Sequence, residues 1–337
     1  MWLRPYEIDC FIDNMKLVYN RTTRTTSNTP GVETNIPDFG NTSSIEYLDS
    51  EQFHSTEYFA SIVNTAVSQW GYTRGKDIRG APFDFRKAPN ELGSYFKNLT
   101  HLIESTYYSN GNKPITLVAH SLGNPTMLYY FNHKDQRWKD KFIKSLVSVS
   151  PPWGGSMKIM LVYASGYNLE QWSIVLPPLK MRVQQRTMPS SAFLLPSRHF
   201  WDPDEALIKT SERIYTVNDY EQFFTDLNYT DGYEMFKDTR GLIDEFTPPG
   251  VTVHLLYGTG IPTPGTLVYG PGEFPDSQPS HETVDGDGTV SLRSILGATR
   301  WIGTQRQPVF VHSFPGQKHL EILRSPELLA YLKTVVL

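Results

Sequence analysis

The chain has 337 residues, of which 39% are hydrophobic and 20% charged, and its formal net charge at pH 7 is −4. This weak negative charge, with no run of Lys and Arg on a single face, argues against a nucleic-acid partner. No stretch approaches the roughly 18 continuous apolar residues of a membrane-spanning helix, so we expect a chain that is soluble or peripherally attached to a membrane.

Helix and strand patterns alternate through the first half of the chain. Apolar residues recur at helical spacing over residues 59–70 and again over 96–107. The apolar run 115–118 predicts a buried strand, residues 127–131 predict part of a helix, and the run 146–149 predicts the next strand. This order predicts an α/β fold with a mostly parallel sheet flanked by helices.

The sequence Ala-His-Ser-Leu-Gly at residues 119–123 directly follows the first of these strands. It is a variant of the Gly-x-Ser-x-Gly nucleophile elbow, a sharp turn that exposes the serine hydroxyl at the end of a strand. Ala119 and Gly123 supply the small side chains where strand and helix backbones approach closely. A buried strand followed by a serine N-cap of a helix would have the same sequence pattern. Ser121 therefore needs a candidate carboxylate and a candidate imidazole before it is a convincing nucleophile.

A carboxylate is the first partner to look for, since the order in this architecture is Ser, then Asp or Glu, then His. The glycine-rich turn at residues 284–290 presents Asp285 and Asp287. Spacing does not separate the two; we prefer Asp287 and keep Asp285 as the alternative. The turn lacks the remaining oxygen ligands of an EF-hand loop, and we predict no metal ion and no cofactor.

An imidazole is the second partner. His319 follows the alternating strand pattern at residues 309–313 and precedes a helical pattern at 320–323, so it lies in a loop after the last predicted strand. This position favours it as the general base over the other candidate histidines, which are His254, His281 and His312.

The interval between Ser121 and Asp287 is several times longer than the interval between Asp287 and His319, which indicates an insertion. Residues 156–249 are rich in aromatic residues and proline, as in the segments 172–179 and 193–196. We predict that they form a cap domain between two parts of a core domain, residues 1–155 and 250–337. Apolar cap residues could hold acyl chains or touch a membrane surface, or could simply form the core of the cap.

Three further motifs carry a family resemblance: Ser-Pro-Pro-Trp-Gly-Gly at 150–155, Gly-Thr-Gly-Ile-Pro-Thr-Pro at 258–264 and Asp-Gly-Asp-Gly-Thr-Val at 285–290. From about residue 8 to the C-terminus the chain resembles the family of lecithin:cholesterol acyltransferase and lysosomal phospholipase A. Gly288 and the Ile-Pro-Thr-Pro segment resemble the lysosomal phospholipase (acylceramide synthase) branch more than the sterol acyltransferase.

The resemblance implies an α/β-hydrolase fold with a cap and a Ser121, Asp287 and His319 triad, with the Leu122 backbone N–H as half of the oxyanion hole. It implies cleavage of a glycerophospholipid acyl ester through an acyl-serine, at a peripheral membrane or lipoprotein surface. The acyl group then passes to water or to a lipid alcohol, either a ceramide or a sterol. Two alternatives stay open: a general carboxylesterase, and a catalytically impaired lipid-binding protein.

Targeting signals conflict. Four glycosylation sequons, at Asn20, Asn41, Asn98 and Asn228, suit a secreted or lysosomal protein, yet residues 1–7 lack the apolar region of a signal peptide. The resemblance implies that a signal peptide, a first strand with a second oxyanion donor and part of a cysteine-closed lid loop precede the chain, with Cys10 as the closing cysteine. We therefore expect an N-terminally incomplete enzyme.

Two consequences of that expectation concern activity. Loss of one oxyanion donor typically costs about 10²–10³ in turnover, so we expect the chain as written to be far less active than a full-length parent. The resemblance also implies a pair of cysteines that flank the Asp-Gly-Asp-Gly turn in the animal enzymes, and residues 281–284 and 296–298 of this chain contain none. Packing and hydrogen bonds alone must then hold the turn that carries Asp287.

Overall fold

The computed structural model describes residues 8–48, 52, 56–168 and 176–337. Ten strands lie in these ranges. They are β1 (Leu17–Asn20), β2 (Thr25–Asn28), β3 (Ile115–His120), β4 (Ile143–Val149), β5 (Ile208–Lys209), β6 (Ile214–Tyr215), β7 (Thr252–Thr259), β8 (Ile261–Val268), β9 (Ser280–Gly286) and β10 (Val309–Pro315).

Thirteen α-helices are described alongside them. They are α1 (Ile8–Met15), α2 (Ser43–Glu46), α3 (Ala60–Gln69), α4 (Gly93–Ser109), α5 (Gly123–Asn132), α6 (Gln136–Phe142), α7 (Lys158–Tyr163), α8 (Pro178–Gln185), α9 (Pro189–Phe193), α10 (Tyr220–Asp226), α11 (Thr230–Thr239), α12 (Leu292–Ile295) and α13 (Pro326–Val336). Short 3₁₀ segments lie at Pro89–Glu91, Leu296–Trp301 and Glu321–Arg324.

The central sheet has the strand order β10-β7-β4-β3, and every neighbouring pair is parallel. Its middle strands β4 and β7 are mostly buried because helices cover both faces of the sheet. All four carboxyl ends therefore meet at one edge. In open α/β sheets this edge is where binding and catalytic residues gather.

Side chains alternate between the two faces of the sheet. On one face Leu146 packs toward α4, α5 and α6, and Val253 packs toward α5 and α12; on the other face, Val147 and Leu256 pack against α3 and the C-terminal helix α13. All four side chains are fully buried. The helices predicted over residues 59–70 and 96–107 are α3 and α4, and the strands predicted at 115–118 and 146–149 are β3 and β4.

A second sheet lies outside this core, with the order β6-β5-β8-β9. Strand β8 pairs antiparallel with β9 and parallel with the two-residue strand β5. The sheet therefore takes strands both from the segment 156–249 and from residues beyond it. Strands β8 and β9 follow residue 249 yet belong to the second sheet. The domain boundary at residue 249, predicted from composition, remains a proposal.

The segment 156–249 has a core dominated by aromatic side chains. Phe223 and Phe224 are fully buried, and Phe224 packs edge-on against Tyr163 with ring centroids 4.8 Å apart. Leu267 and Tyr269, at the end of β8, belong to the same cluster. Many of the apolar residues of this segment thus pack on one another. Residues 172–175 of the predicted cap lie outside the described residues.

Candidate active site

Ser121 occupies the sharp turn between β3 and α5. Its φ is +51°, in the left-handed region that non-glycine residues rarely adopt. The Ser121 N–H donates to the Val149 carbonyl (3.1 Å), which ties the turn to the end of β4. The buried Asn124 amide reinforces this tie, because its Nδ2 donates to the carbonyls of Val149 (3.0 Å) and Ser121 (3.1 Å). The strained turn is therefore held from two sides.

The small residues around the turn have a steric reason. A Cβ added to Gly123 would lie 3.6 Å from the Cβ of Ala119, which is ordinary van der Waals contact. A side chain longer than alanine at either position would extend into the other. This close approach of the strand end and the first helical turn is what the motif predicts.

His319 lies in the loop after β10. Its Nε2 is 2.9 Å from the Ser121 Oγ, and its Nδ1 is 2.7 Å from the Asp287 Oδ2. Its backbone N–H also donates to the Asp287 carbonyl (2.8 Å). Because an ionised carboxylate only accepts, Nδ1 carries the proton and Nε2 is left to accept from the serine hydroxyl. This tautomer is the one that a general base requires.

Asp287 is fully buried in the turn after β9. The backbone N–H groups of Thr289 (3.0 Å) and Val290 (2.8 Å) donate to its Oδ1, which leaves Oδ2 for His319. Asp285 is exposed, and its Oδ1 accepts from the Gly260 N–H at 2.7 Å. Of the two aspartates that spacing left open, the structure brings Asp287 to His319.

Opposing effects act on the pKa of Asp287. Burial alone would raise it, but the charge and hydrogen bond of His319 and the two backbone donors outweigh burial and lower the pKa below its ordinary value. The carboxylate therefore stays ionised while buried. Packing and hydrogen bonds hold the turn, which has no cysteine: Gly288 donates to the Thr263 Oγ1 (2.9 Å), and Ile261 bridges to Asp287.

Leu122 is the residue between Ser121 and α5 and has helical φ and ψ of −49° and −28°. N–H groups at the start of a helix have no intrahelical acceptor and lie at the positive end of the helix dipole. The Leu122 N–H thus has the position and polarity that an oxyanion donor needs.

Two residues within or beside the elbow have roles that were not predicted from the sequence. The first is Asn124, whose side chain ties the turn to β4. The second is His120, which is nearly completely buried and contacts both Tyr58 and the backbone of His319. A buried polar residue on each side of the nucleophile is the signal that could have identified them, because such groups need hydrogen-bond partners.

The other candidate histidines have different neighbours. His254 stacks on Phe310, and its Nδ1 is 3.1 Å from the Tyr331 hydroxyl. His312 packs against Tyr331 and Phe314, and His281 is exposed on β9. Within the ranges that the structure describes, only His319 among the four reaches Ser121.

Several wider features of the described residues bear on function. The four sequon asparagines, Asn20, Asn41, Asn98 and Asn228, are all exposed. Among the described residues, no helix combines the length and apolar character needed to cross a bilayer. The same part of the chain has no group of three or more His, Cys, Asp or Glu that could bind a metal ion.

A parallel sheet between helical layers, with Ser, His and Asp meeting at the carboxyl edge of its strands, defines an α/β hydrolase. This confirms the predicted fold. A chain from the crystal structure of the Tle4–Tli4 complex shares the architecture with a TM-score of 0.52 and 13% identity, over 74% of this chain and 66% of that one.

The chain belongs to the lecithin:cholesterol acyltransferase family, whose model matches residues 1–327. It is 47% identical to the rat (Rattus norvegicus) lysosomal phospholipase A and acyltransferase over 99% of this chain and 80% of that protein. Identity to the human (Homo sapiens) phosphatidylcholine-sterol acyltransferase is 39%, over 99% and 74% respectively. The predicted family, and the greater likeness to its lysosomal phospholipase branch, are confirmed.

Proposed function

We propose that this chain is a serine acyl hydrolase and transacylase that acts on glycerophospholipids. The observation that carries the proposal is the continuous hydrogen-bonded line from the Ser121 Oγ through the His319 ring to the Asp287 carboxylate. Membership of a family that includes phospholipase A and sterol acyltransferase relatives supports the substrate class.

The reaction begins with the Ser121 hydroxyl. His319 Nε2 takes its proton while the Oγ attacks the acyl carbonyl, and Asp287 stabilises the imidazolium that forms. The Leu122 N–H donates to the carbonyl oxygen as it gains negative charge. When the ester C–O bond breaks, His319 returns the proton to the departing lysophospholipid alkoxide, which leaves an acyl-serine.

The second half repeats these steps with a new nucleophile. Water or the hydroxyl of a lipid alcohol loses its proton to His319 and attacks the acyl-serine carbonyl. Water releases a fatty acid, whereas a ceramide or sterol leaves as an acyl ester; in either case His319 protonates the Ser121 Oγ again. We propose that the segment 156–249 acts as a cap that controls which acceptor enters.

The setting of this chemistry is part of the same proposal. The substrate is presented at a peripheral membrane or lipoprotein surface, in a lysosomal or secreted location. The exposure of Asn20, Asn41, Asn98 and Asn228 supports their glycosylation there.

A fluorophosphonate probe, which reacts with activated serine hydroxyls, tests the catalytic part. We expect it to label the wild-type chain but not Ser121→Ala, and phospholipid hydrolysis should fall with the label. Ser313→Ala, which removes an exposed hydroxyl on β10, is the control and should be labelled normally. Absence of wild-type labelling would favour a lipid-binding protein without catalysis.

A comparison of substrate forms tests the lipid part. We expect phospholipid in vesicles or micelles to be cleaved faster than short-chain esters below their aggregation concentration. A preference for the monomeric esters would instead favour a general carboxylesterase.

A further inference from the structure

The side chain of His120 contacts the backbone of the active-site loop, not the side chain of His319. His120 ends β3, immediately before Ser121. Its Nε2 is 2.8 Å from the His319 carbonyl oxygen, and its Nδ1 is 2.6 Å from the Tyr58 hydroxyl. The ring is 5% exposed, so water does not substitute for either partner.

The partners fix which ring nitrogen carries the proton. A carbonyl oxygen can only accept, so His120 Nε2 must donate to the His319 carbonyl. Nδ1 then has a lone pair and accepts from the Tyr58 hydroxyl. Burial raises the pKa of Tyr58, so the phenol keeps its proton and remains a donor.

The same arrangement keeps His120 uncharged beside the active imidazole. The two histidine rings have centroids 4.8 Å apart. Burial, and secondarily the proximity of His319, lowers the pKa of His120 to about 3. The ring therefore does not compete with His319 for a proton, and it does not place a positive charge next to the imidazolium that forms during acyl transfer.

The backbone of His319 is consequently held at both ends. Its N–H donates to the Asp287 carbonyl and its C=O accepts from His120. Because Ser121 is the residue next to His120, one strand end sets the position of both the nucleophile and the loop that carries the base.

From this geometry we propose that His120 is a positioning residue for His319 and that Tyr58 fixes its ring in the required tautomer. The proposal rests on the function assigned to Ser121 and His319 above. It adds a second line of hydrogen bonds, from Tyr58 through His120 to the His319 backbone, that sets the distance between base and nucleophile.

Three substitutions separate the hydrogen bonds from simple packing. His120→Leu removes both; His120→Gln keeps an N–H donor near the original Nε2; Tyr58→Phe removes only the hydroxyl. Each variant is titrated with a fluorophosphonate to count functional sites. kcat per titrated site and KM for p-nitrophenyl butyrate are then measured between about pH 4 and pH 8. This range lies on both sides of the reference histidine pKa of about 6.5.

We expect His120→Leu to lower kcat per site by about 10²-fold, because a misplaced base is costly. Its KM should stay within about 2-fold, since the lost contact is not a substrate contact. Gln should restore kcat to within about 5-fold of wild type, and Tyr58→Phe should cost about 5-fold, the scale of one hydrogen bond. The acid side of the pH profile of kcat should shift in His120→Leu and return to its wild-type position in His120→Gln.

A merely structural role predicts lower thermal stability with kcat per site and the acid limb unchanged in every variant, which would overturn the proposal. Equal losses in the Leu and Gln variants would overturn it as well. If His120→Leu does not fold, the Gln and Tyr58→Phe variants decide. Failure of the wild type to react with the probe would instead remove the proposed function itself.

Discussion

The carboxyl edge of the central sheet and the aromatic core of segment 156–249 are built on different physical principles. At the sheet edge, hydrogen bonds set positions: Ser121, Asp287 and the His319 backbone each have donors or acceptors at fixed distances. In the segment 156–249, the packing of aromatic rings contributes most of the core, as between Tyr163 and Phe224. Substitutions at the edge should therefore impair catalysis, and substitutions in the segment should impair stability.

The largest expected effect tests the edge. Asp287→Asn should lower kcat by about 10⁴-fold, because the amide no longer holds His319 in the tautomer that accepts the serine proton. The free energy of unfolding of this variant, measured in urea, should change little by comparison.

Asp285→Asn is the matched control for that substitution. Asp285 lies two residues earlier, near the end of β9, and accepts from the Gly260 N–H instead of contacting His319. Its variant should retain nearly wild-type kcat; a loss similar to that of Asp287→Asn would contradict the assignment of the carboxylate.

The second prediction tests the aromatic core. Phe224→Ala removes a fully buried ring and should cost about 3–5 kcal/mol of unfolding free energy, from lost burial and the remaining cavity. Ile302→Ala, at a side chain that is 58% exposed, should stay within about 0.5 kcal/mol of wild type. Urea unfolding followed by tryptophan fluorescence measures both, and equal stabilities would contradict the assignment.

The third prediction concerns a backbone contact beneath the active-site loop. A Cβ added to Gly258 on β7 would lie 1.8 Å from the Gln317 carbonyl, two residues before His319. Gly258→Ala should therefore shift the loop and lower kcat by about 10²-fold. Gly241→Ala, where the added carbon meets open space, should keep wild-type kcat.

The smallest expected effect is a change in the pH dependence of stability. The pKa of His120 is about 3 in the folded chain against an ordinary 6.5, so the unfolded chain binds more protons between these values. Stability from this group is complete above pH 6.5 and is lost as pH falls toward 3. The loss should be measurable between about pH 6.5 and pH 5, a window in which most carboxylates remain ionised.

His120→Gln should reduce that loss, as measured by urea midpoints at several pH values. Some dependence should remain, because burial also lowers the pKa of His254. An unchanged slope in His120→Gln would contradict a neutral buried ring.

Much of the sheet edge could be predicted from sequence because its signals are local. The elbow motif follows from steric limits at Ala119 and Gly123, and the strands follow from apolar runs. The choice between Asp285 and Asp287 could not be predicted, since the two are separated by one residue in a glycine-rich stretch and only the folded path of the chain decides which carboxylate is buried.

The second sheet was beyond sequence reasoning for a related reason. Strands β5 and β6 have two residues each, too few for an alternation to show. Their pairing with β8 joins residues that lie far apart in the chain, as in the match of Ile208 with Leu267. The partners of His120 were equally remote, because Tyr58 and His319 come from opposite ends of the sequence.

The buried turn around Asp287 has a consequence for the conditions under which the protein can be handled. Backbone amides and the Thr263 hydroxyl fasten this turn, and the sole cysteine of the chain, Cys10, is exposed and unpaired. No cysteine lies in this turn or among the residues that fasten it. Reductants such as dithiothreitol should consequently leave the alignment of the acid and base intact, in oxidising and reducing surroundings alike.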